Sequence, residues 1–172
     1  VAESGRVGMV GAVVRQQGTA NASSLVSEGG RIFLKATQKA ELAASSSTAA
    51  SGTKGGKVEV DGGEMTLVSG RIEATGSAAT GGRVELLGDK VGVLDGARVD
   101  ASGSTGGGTI LVGGDYQGKK PEVRNAQISY LASNASLTAD AATNGDGGKV
   151  IVWADDTTRG YGRISARGGI NG

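Results

Sequence analysis

The chain has 172 residues and a formal net charge of +1, with 33 glycines, one proline, no cysteine and no histidine. The missing cysteine and histidine exclude a disulfide framework, thiol or imidazole catalysis and the common zinc sites. The small charge argues against nucleic acid as a partner. No apolar run approaches the roughly 20 residues that span a membrane. Since neither an initiator Met nor a signal peptide is present, we expect a piece of a longer protein.

In chain order, the first thirty residues match the later pattern loosely, with a strand and a turn predicted at 10–14 and 18–22. From residue 29 onward, a Gly-Gly pair recurs every 26 residues, and alternating apolar residues follow each pair. The pairs are Gly29-Gly30, Gly55-Gly56, Gly81-Gly82 and Gly107-Gly108, and Gly147-Gly148 begins the same kind of run. A fixed period of this length indicates a repeat architecture.

Each period contains three strand-like pieces, which lie at 83–87, 91–94 and 98–101 in the period that starts at Gly81. Three short strands and three turns describe one triangular coil of a parallel β-helix, with coils stacked about 4.8 Å apart. We therefore predict an all-β fold in which residues 1–172 form a single β-helix of about six three-stranded coils. The glycines are expected at the corners, for positive φ or for close stacking.

Alternation assigns the side chains to the two sides of each strand. The predicted inward positions of the first strands are Ile32, Leu34, Val58, Val60, Val84, Leu86, Ile110, Val112, Val150 and Val152. Those of the third strands are Ile72, Ala74, Val99, Ala101, Leu137, Ala139, Ile164 and Ala166. The outward positions then form rows along the rod.

One outward row follows the glycine pairs and is mostly basic. Its members are Arg31, Lys57, Arg83, Thr109 and Lys149. Two interpretations stay open, because Glu59 and Glu85 in the same strands are able to neutralise the row. Either the row is a solvated ladder with its own counter-charges, or it is a stripe that binds an acidic polysaccharide.

A second outward set is apolar in the later coils and consists of Leu87, Leu111, Ile151 and Trp153. An exposed patch of this kind indicates a cover or a binding partner. The spacing from Gly107 to Gly147 is 40 residues instead of 26, which predicts an extra-helical loop at 115–127 between a first and a second strand. Either this loop covers the patch through Tyr116 or Val123, or the patch is a contact site.

The candidate binding residues combine the loop with the apolar patch. They are Lys119, Lys120, Arg124, Tyr116, Leu111, Ile151 and Trp153. Carbohydrate-cleaving sites need clustered carboxylates, or an acid beside Arg or Lys. Asp115, near Lys119 or Arg124, is the one candidate group for such chemistry. Because the other acids stand singly or in the Asp155-Asp156 pair, we predict no enzyme activity, no metal site and no cofactor.

Three stretches resemble the haemagglutinin-like adhesins of the bacterial two-partner secretion family, the filamentous haemagglutinin type. They are GDKVGVLDGARVDASG at 88–103, GGGTILVGGDYQG at 106–118 and GDGGKVIVWAD at 145–155. The resemblance is specific over residues 80–172 and weaker over 1–79. It implies a right-handed parallel β-helix shaft that crosses the outer membrane through a β-barrel transporter. The Asn-Pro motif of the family's secretion domain is absent, which favours a shaft segment.

The resemblance also implies a secreted or cell-surface protein that mediates attachment, aggregation or biofilm formation. We therefore expect a structural and adhesive segment, with a cell-surface or extracellular polysaccharide as a candidate partner. The alternative is a glycan-binding or glycan-cleaving β-helix module whose site lies near the loop at 115–130.

Overall fold

The computed structural model describes residues 5–25 and 27–172, and sixteen strands lie in these ranges. They are β1 (Arg6–Gln16), β2 (Thr19–Asn21), β3 (Arg31–Leu42), β4 (Ser47–Ala49), β5 (Lys57–Asp61), β6 (Met65–Val68), β7 (Arg71–Glu73), β8 (Arg83–Leu87), β9 (Lys90–Val93), β10 (Arg98–Asp100), β11 (Thr109–Val112), β12 (Ile128–Leu131), β13 (Ser136–Thr138), β14 (Lys149–Val152), β15 (Thr157–Gly160) and β16 (Arg163–Ser165). One 3-10 turn, Tyr116–Gly118, is also present.

The strands stack in parallel as six coils with three faces, which confirms the predicted parallel β-helix. Face A comprises the first halves of β1 and β3 with β5, β8, β11 and β14. Face B comprises the second halves of β1 and β3 with β6, β9, β12 and β15, and face C comprises β2, β4, β7, β10, β13 and β16. Strands β1 and β3 each continue from face A into face B. The six coils with three faces are therefore formed by sixteen strands.

The interior is a set of aliphatic ladders, as alternation predicts. Val60 pairs in register with Leu34 and with Leu86, and all three side chains are completely buried. Burying each such side chain contributes about 1.5–3 kcal/mol to the free energy of unfolding. The ladders weaken in the sixth coil, where Ile164 is 50% exposed, because no described coil stacks on its far side.

The Gly-Gly pairs form the corner between faces C and A. In five coils the second glycine donates its N–H, at 2.7–2.8 Å, to the carbonyl of the alanine just after the face C strand. None of these pairs has a positive φ, so close stacking alone requires glycine there. A Cβ on Gly81, for example, would overlap the carbonyl oxygen of Ala101. The 26-residue period is thus a period of backbone-to-backbone contacts.

The loop predicted at 115–127 leaves the rod between β11 and β12, at the corner between faces A and B. The pairing on both sides is undisturbed: Val112 is in register with Val152, and Ile128 with Lys90. The additional residues therefore lie outside the stack of coils.

Candidate functional site

The loop folds back over face A and covers the apolar patch. Val123 packs against Leu87 and Leu111, and the partly buried Ile151 lies beside them. Leu111 is completely buried, so this candidate binding residue belongs to a small second core and does not reach solvent. Leu87, an outward residue by alternation, is buried for the same reason. Of the two interpretations of the patch, the geometry favours the intramolecular cover.

Trp153 packs against the beginning of the loop, where the chain leaves β11. Its indole packs against the backbone at Gly114 and Gly118, and its Nε1–H donates to Asp155 Oδ1 at 3.0 Å. Its backbone carbonyl accepts a hydrogen bond from the Ser129 hydroxyl at 2.6 Å. The ring is partly exposed, so one edge faces solvent while the other packs on the loop.

Asp115 anchors the loop to the last coil. Its carboxylate is buried and contacts Lys149 Nζ at 2.5 Å and Lys120 Nζ at 3.0 Å, and it accepts the Tyr116 N–H at 2.7 Å. The Lys149 hydrogen bond is the main reason that the pKa of Asp115 lies well below its usual range, although burial opposes the shift. The sequence placed this carboxylate with Lys119 or Arg124, whereas its ion-pair partners among the described residues are Lys120 and Lys149.

The loop cations differ in their accessibility. Arg124 contacts Asp89 at 2.5 Å and Asp61 at 3.7 Å, and Lys120 is paired with Asp115. Lys119 has no ion pair among the described residues, and the nearby Tyr116 is 64% exposed. The seven candidate residues therefore do not form one surface: two cations are neutralised, Leu111 is buried, and Lys119 and Tyr116 remain open.

The basic row on face A exists as predicted, since Arg31, Lys57, Arg83, Thr109 and Lys149 are register partners in turn. Its middle part is neutralised by the glutamates two residues further along each strand. These contacts are Lys57 Nζ to Glu85 at 2.6 Å and to Glu59 at 3.1 Å, Arg83 to Glu85 at 2.7 Å, and Lys35 to Glu59 at 3.0 Å.

The pKa values of Glu59 and Lys57, two members of this network, shift in the directions that ion pairing requires. Burial would raise the pKa of Glu59, but hydrogen bonds from Lys35 and Lys57 outweigh it and lower the value. Burial would likewise lower the pKa of Lys57, but the hydrogen bonds that its ammonium donates to Glu85 and Glu59 raise it. Both groups stay charged at neutral pH, so the ladder interpretation holds for the third and fourth coils.

The beginning of the same row is different, and sequence reasoning missed it. Arg6 in β1 is the register partner of Arg31, which extends the row to the first coil. The positions that hold Glu59 and Glu85 in later coils hold Gly8 and Phe33 here. The Phe33 ring lies over Gly8, where an added Cβ would overlap it, and the side chain is 37% exposed. The run Gly5-Arg6-Val7-Gly8-Met9 shows the same pattern of glycine, basic residue and alternating apolar residues as the later coils. It begins with one glycine where the later coils have two.

These arginines border an open groove of about 1230 Å³ that follows the glycine corner. Its basic lining residues are Arg6, Arg31, Lys54, Lys57 and Arg83, and Glu28 is an acidic one. A smaller cavity of about 370 Å³ adjoins it and includes Phe33 and Lys35. The groove is open and elongated, and eight of the residues that line it are glycines from the corners of successive coils.

Over residues 5–25 and 27–172, no three acidic side chains converge in a geometry that would hold a metal ion. No helix in the same ranges has the length and apolarity to cross a bilayer. No family model matches the chain, and no curated protein is significantly similar to it in sequence. The surfaces described above and the motifs in the sequence are therefore the observations that bear on function.

Proposed function

We propose that this chain is a structural and adhesive segment of a large secreted or surface-exposed bacterial adhesin. In this role it projects binding surfaces from the cell and takes part in attachment, aggregation or biofilm formation. The observation that carries the proposal is the stack of six coils with repeated Gly-Gly corners, combined with the adhesin-like motifs at 88–103, 106–118 and 145–155.

Export through an outer-membrane β-barrel partner, as the motifs imply, is part of the proposal. Two properties of the chain support it. There is no cysteine, so no disulfide has to form or break during passage. Each coil contacts only its neighbours, so the rod is able to fold coil by coil as the chain emerges.

The alternative is a glycan-binding or glycan-cleaving module with its site near the 115–130 loop, and its cleaving form receives less support. Asp115 is buried between Lys120 and Lys149, and Arg124 is paired with two aspartates. These groups hold the loop in place, and a cleaving site would need a second carboxylate near Asp115.

Adhesion is tested directly by coupling the purified chain to polystyrene beads. We expect the beads to cluster, or to be retained under flow on surfaces coated with bacterial extracellular polysaccharide or host matrix. Beads coupled to serum albumin at the same density provide the control. Retention and clustering equal to those of the albumin beads on every surface would contradict the proposed function.

A further inference from the structure

We propose that the first two coils carry a binding site for an acidic polysaccharide, formed by Arg6, Arg31 and Phe33. The inference names the ligand class for the adhesive role above and rests on it to that extent. The site is separate from the loop at 115–127, where the sequence placed the candidate binding residues.

Arg6 and Arg31 place two positive charges close together at the beginning of face A. Arg6 and Arg31 are register partners on adjacent strands, so their backbones lie about 4.8 Å apart. No carboxylate of the described residues forms an ion pair with either guanidinium, whereas Lys57 and Arg83 in the same row have glutamate partners. Two like charges at this spacing repel each other. A bound anion would offset the repulsion.

The aromatic ring of Phe33 and the ammonium of Lys35 lie next to the two arginines. Phe33 is half-buried, its ring lies over Gly8, and it shares a cavity with Arg6, Arg31 and the ion pair of Lys35 with Glu59. A phenyl face suits the C–H face of a sugar ring. A guanidinium suits the carboxylate or sulfate of the same sugar, because its N–H groups bind both oxygens at once. Ring and charge together favour an acidic sugar over a neutral one.

An open groove continues from this site along face A. It follows the glycine corner past Lys54, and its floor carries no side chains that would block an extended chain. The floor N–H groups are used between and within coils, as in Gly29 to Lys54 O and Gly56 to Ala50 O. Recognition must therefore come from side chains. A linear polymer with regularly spaced negative charges fits Arg6 and Arg31, which stand one coil apart at the beginning of the groove.

The test compares two double variants that each remove two exposed cations. Arg6→Ser/Arg31→Ser changes the proposed site, and Lys90→Ser/Arg98→Ser changes faces B and C as a matched control. Binding is measured by calorimetry with polygalacturonate, dextran sulfate, neutral dextran and single-stranded DNA, at low and physiological salt. We expect the first pair to lose about tenfold or more in affinity for the acidic polymers. The control pair should stay within about twofold of the parent, since rim charges contribute little.

Phe33→Ala gives an independent readout. It should weaken binding while leaving the salt dependence unchanged, because it removes a stacking surface and no charge. The Arg6→Ser/Arg31→Ser pair should instead flatten the salt dependence, because fewer counter-ions are released. Circular dichroism melts confirm that each variant remains folded.

Preference for polygalacturonate assigns a carboxylate ligand, and preference for dextran sulfate assigns a sulfate ligand. Both outcomes support the site. Three results would overturn the site. The first is an equal loss of affinity in the two double variants, the second is tighter binding to single-stranded DNA than to the acidic polymers, and the third is no binding to either acidic polymer. If polymer binding fails while chain-coated beads still adhere, the site is wrong and the proposed function stands. If the beads also fail to adhere, both are wrong.

Discussion

The ammonium of Lys57 lies 2.6 Å from the carboxylate of Glu85, which belongs to the next coil and whose side chain is 6% exposed. The same carboxylate also contacts Arg83 on its own strand. One buried acid thus pairs with two members of the basic row, and Glu59 supplies the second negative charge through its contact with Lys57. Among the described residues no carboxylate forms an ion pair with Arg6 or Arg31, and this end of the row remains positive.

Replacing Glu85 should therefore convert screened cations into free ones. We expect Glu85→Gln to lower the free energy of unfolding by about 1–3 kcal/mol, because two cations lose a buried charged partner. The same variant should bind dextran sulfate more tightly, since Lys57 and Arg83 also line the groove. Urea unfolding and calorimetry measure the two effects.

The control for Glu85→Gln is Glu73→Gln, which removes a carboxylate paired with Arg71 on face C. That pair is more exposed, so its loss should change stability by no more than about 1 kcal/mol and leave polymer binding unchanged. Equal polymer affinity in Glu85→Gln and the parent would show that the glutamate does not screen the row.

The anchor of the loop gives a second prediction. Lys149→Met removes the closest cation from the buried Asp115 carboxylate and should lower the free energy of unfolding by about 1–3 kcal/mol. The loop at 115–127 should also be cleaved faster by limited proteolysis, identified by mass spectrometry of the fragments. Lys119→Met is the matched control in the same loop, because its ammonium has no ion pair among the described residues. Equal cleavage of both variants would contradict the anchor.

The pH dependence of stability follows from the same contact. The pKa of Asp115 is lower in the folded chain than its ordinary value, chiefly through the hydrogen bond from Lys149. A lowered carboxyl pKa stabilises the fold above the unfolded pKa of about 3.9, and this contribution is lost as the pH falls below that value. The stability gap between the parent and Asp115→Asn should be constant from about pH 7 to 5 and narrow below about pH 4. Urea unfolding at each pH measures the gap; a gap independent of pH would contradict the assignment.

The cover over face A gives a further prediction. Leu111→Ala should cost about 2–5 kcal/mol of unfolding free energy, because the side chain is completely buried against Val123 and Leu87. Tyr116→Ala, in the same loop but 64% exposed, should change stability by no more than about 0.5 kcal/mol. Thermal and urea unfolding distinguish a covered patch from an exposed contact site, because truncating an exposed Leu111 would leave stability nearly unchanged.

The glycine corner is tested by adding one methyl group. Gly81→Ala should destabilise the rod by at least about 2 kcal/mol, because the Cβ would overlap the Ala101 carbonyl and force two coils apart. Gly18→Ala is the matched control, since its added Cβ meets no atom within 4 Å. Similar melting temperatures for the two variants would show that the corner tolerates a side chain and that the 26-residue period has another origin.

The coil architecture was predictable because it depends on a strictly local pattern. The Gly-Gly pairs and the period-2 alternation after them define strand position and inward face in every coil from Gly29 onward. The position of the loop was predictable for the same reason, as an interruption of that pattern. The first coil was less visible, because Gly5 stands alone before Arg6 and the predicted strand at 10–14 is shorter than β1.

The pairing of charges was harder to predict, because it depends on contacts between residues far apart in sequence. Asp115 and Lys149 are 34 residues apart, and nothing in the alternation indicates that the loop returns to the next coil. The unscreened state of Arg6 and Arg31 became visible only with the register of β1 against β3, which aligns Gly8 and Phe33 with the later glutamates.

The register is undisturbed on both sides of the loop at 115–127, so the length of the chain at this corner does not affect the geometry of the rod. Residues inserted there change what is displayed and leave the spacing of the coils unaltered. The corner is thus a natural grafting point. A foreign peptide that replaces residues 116–122, with Asp115 and Val123 kept as its two anchors, would be presented at a fixed height on a rigid support.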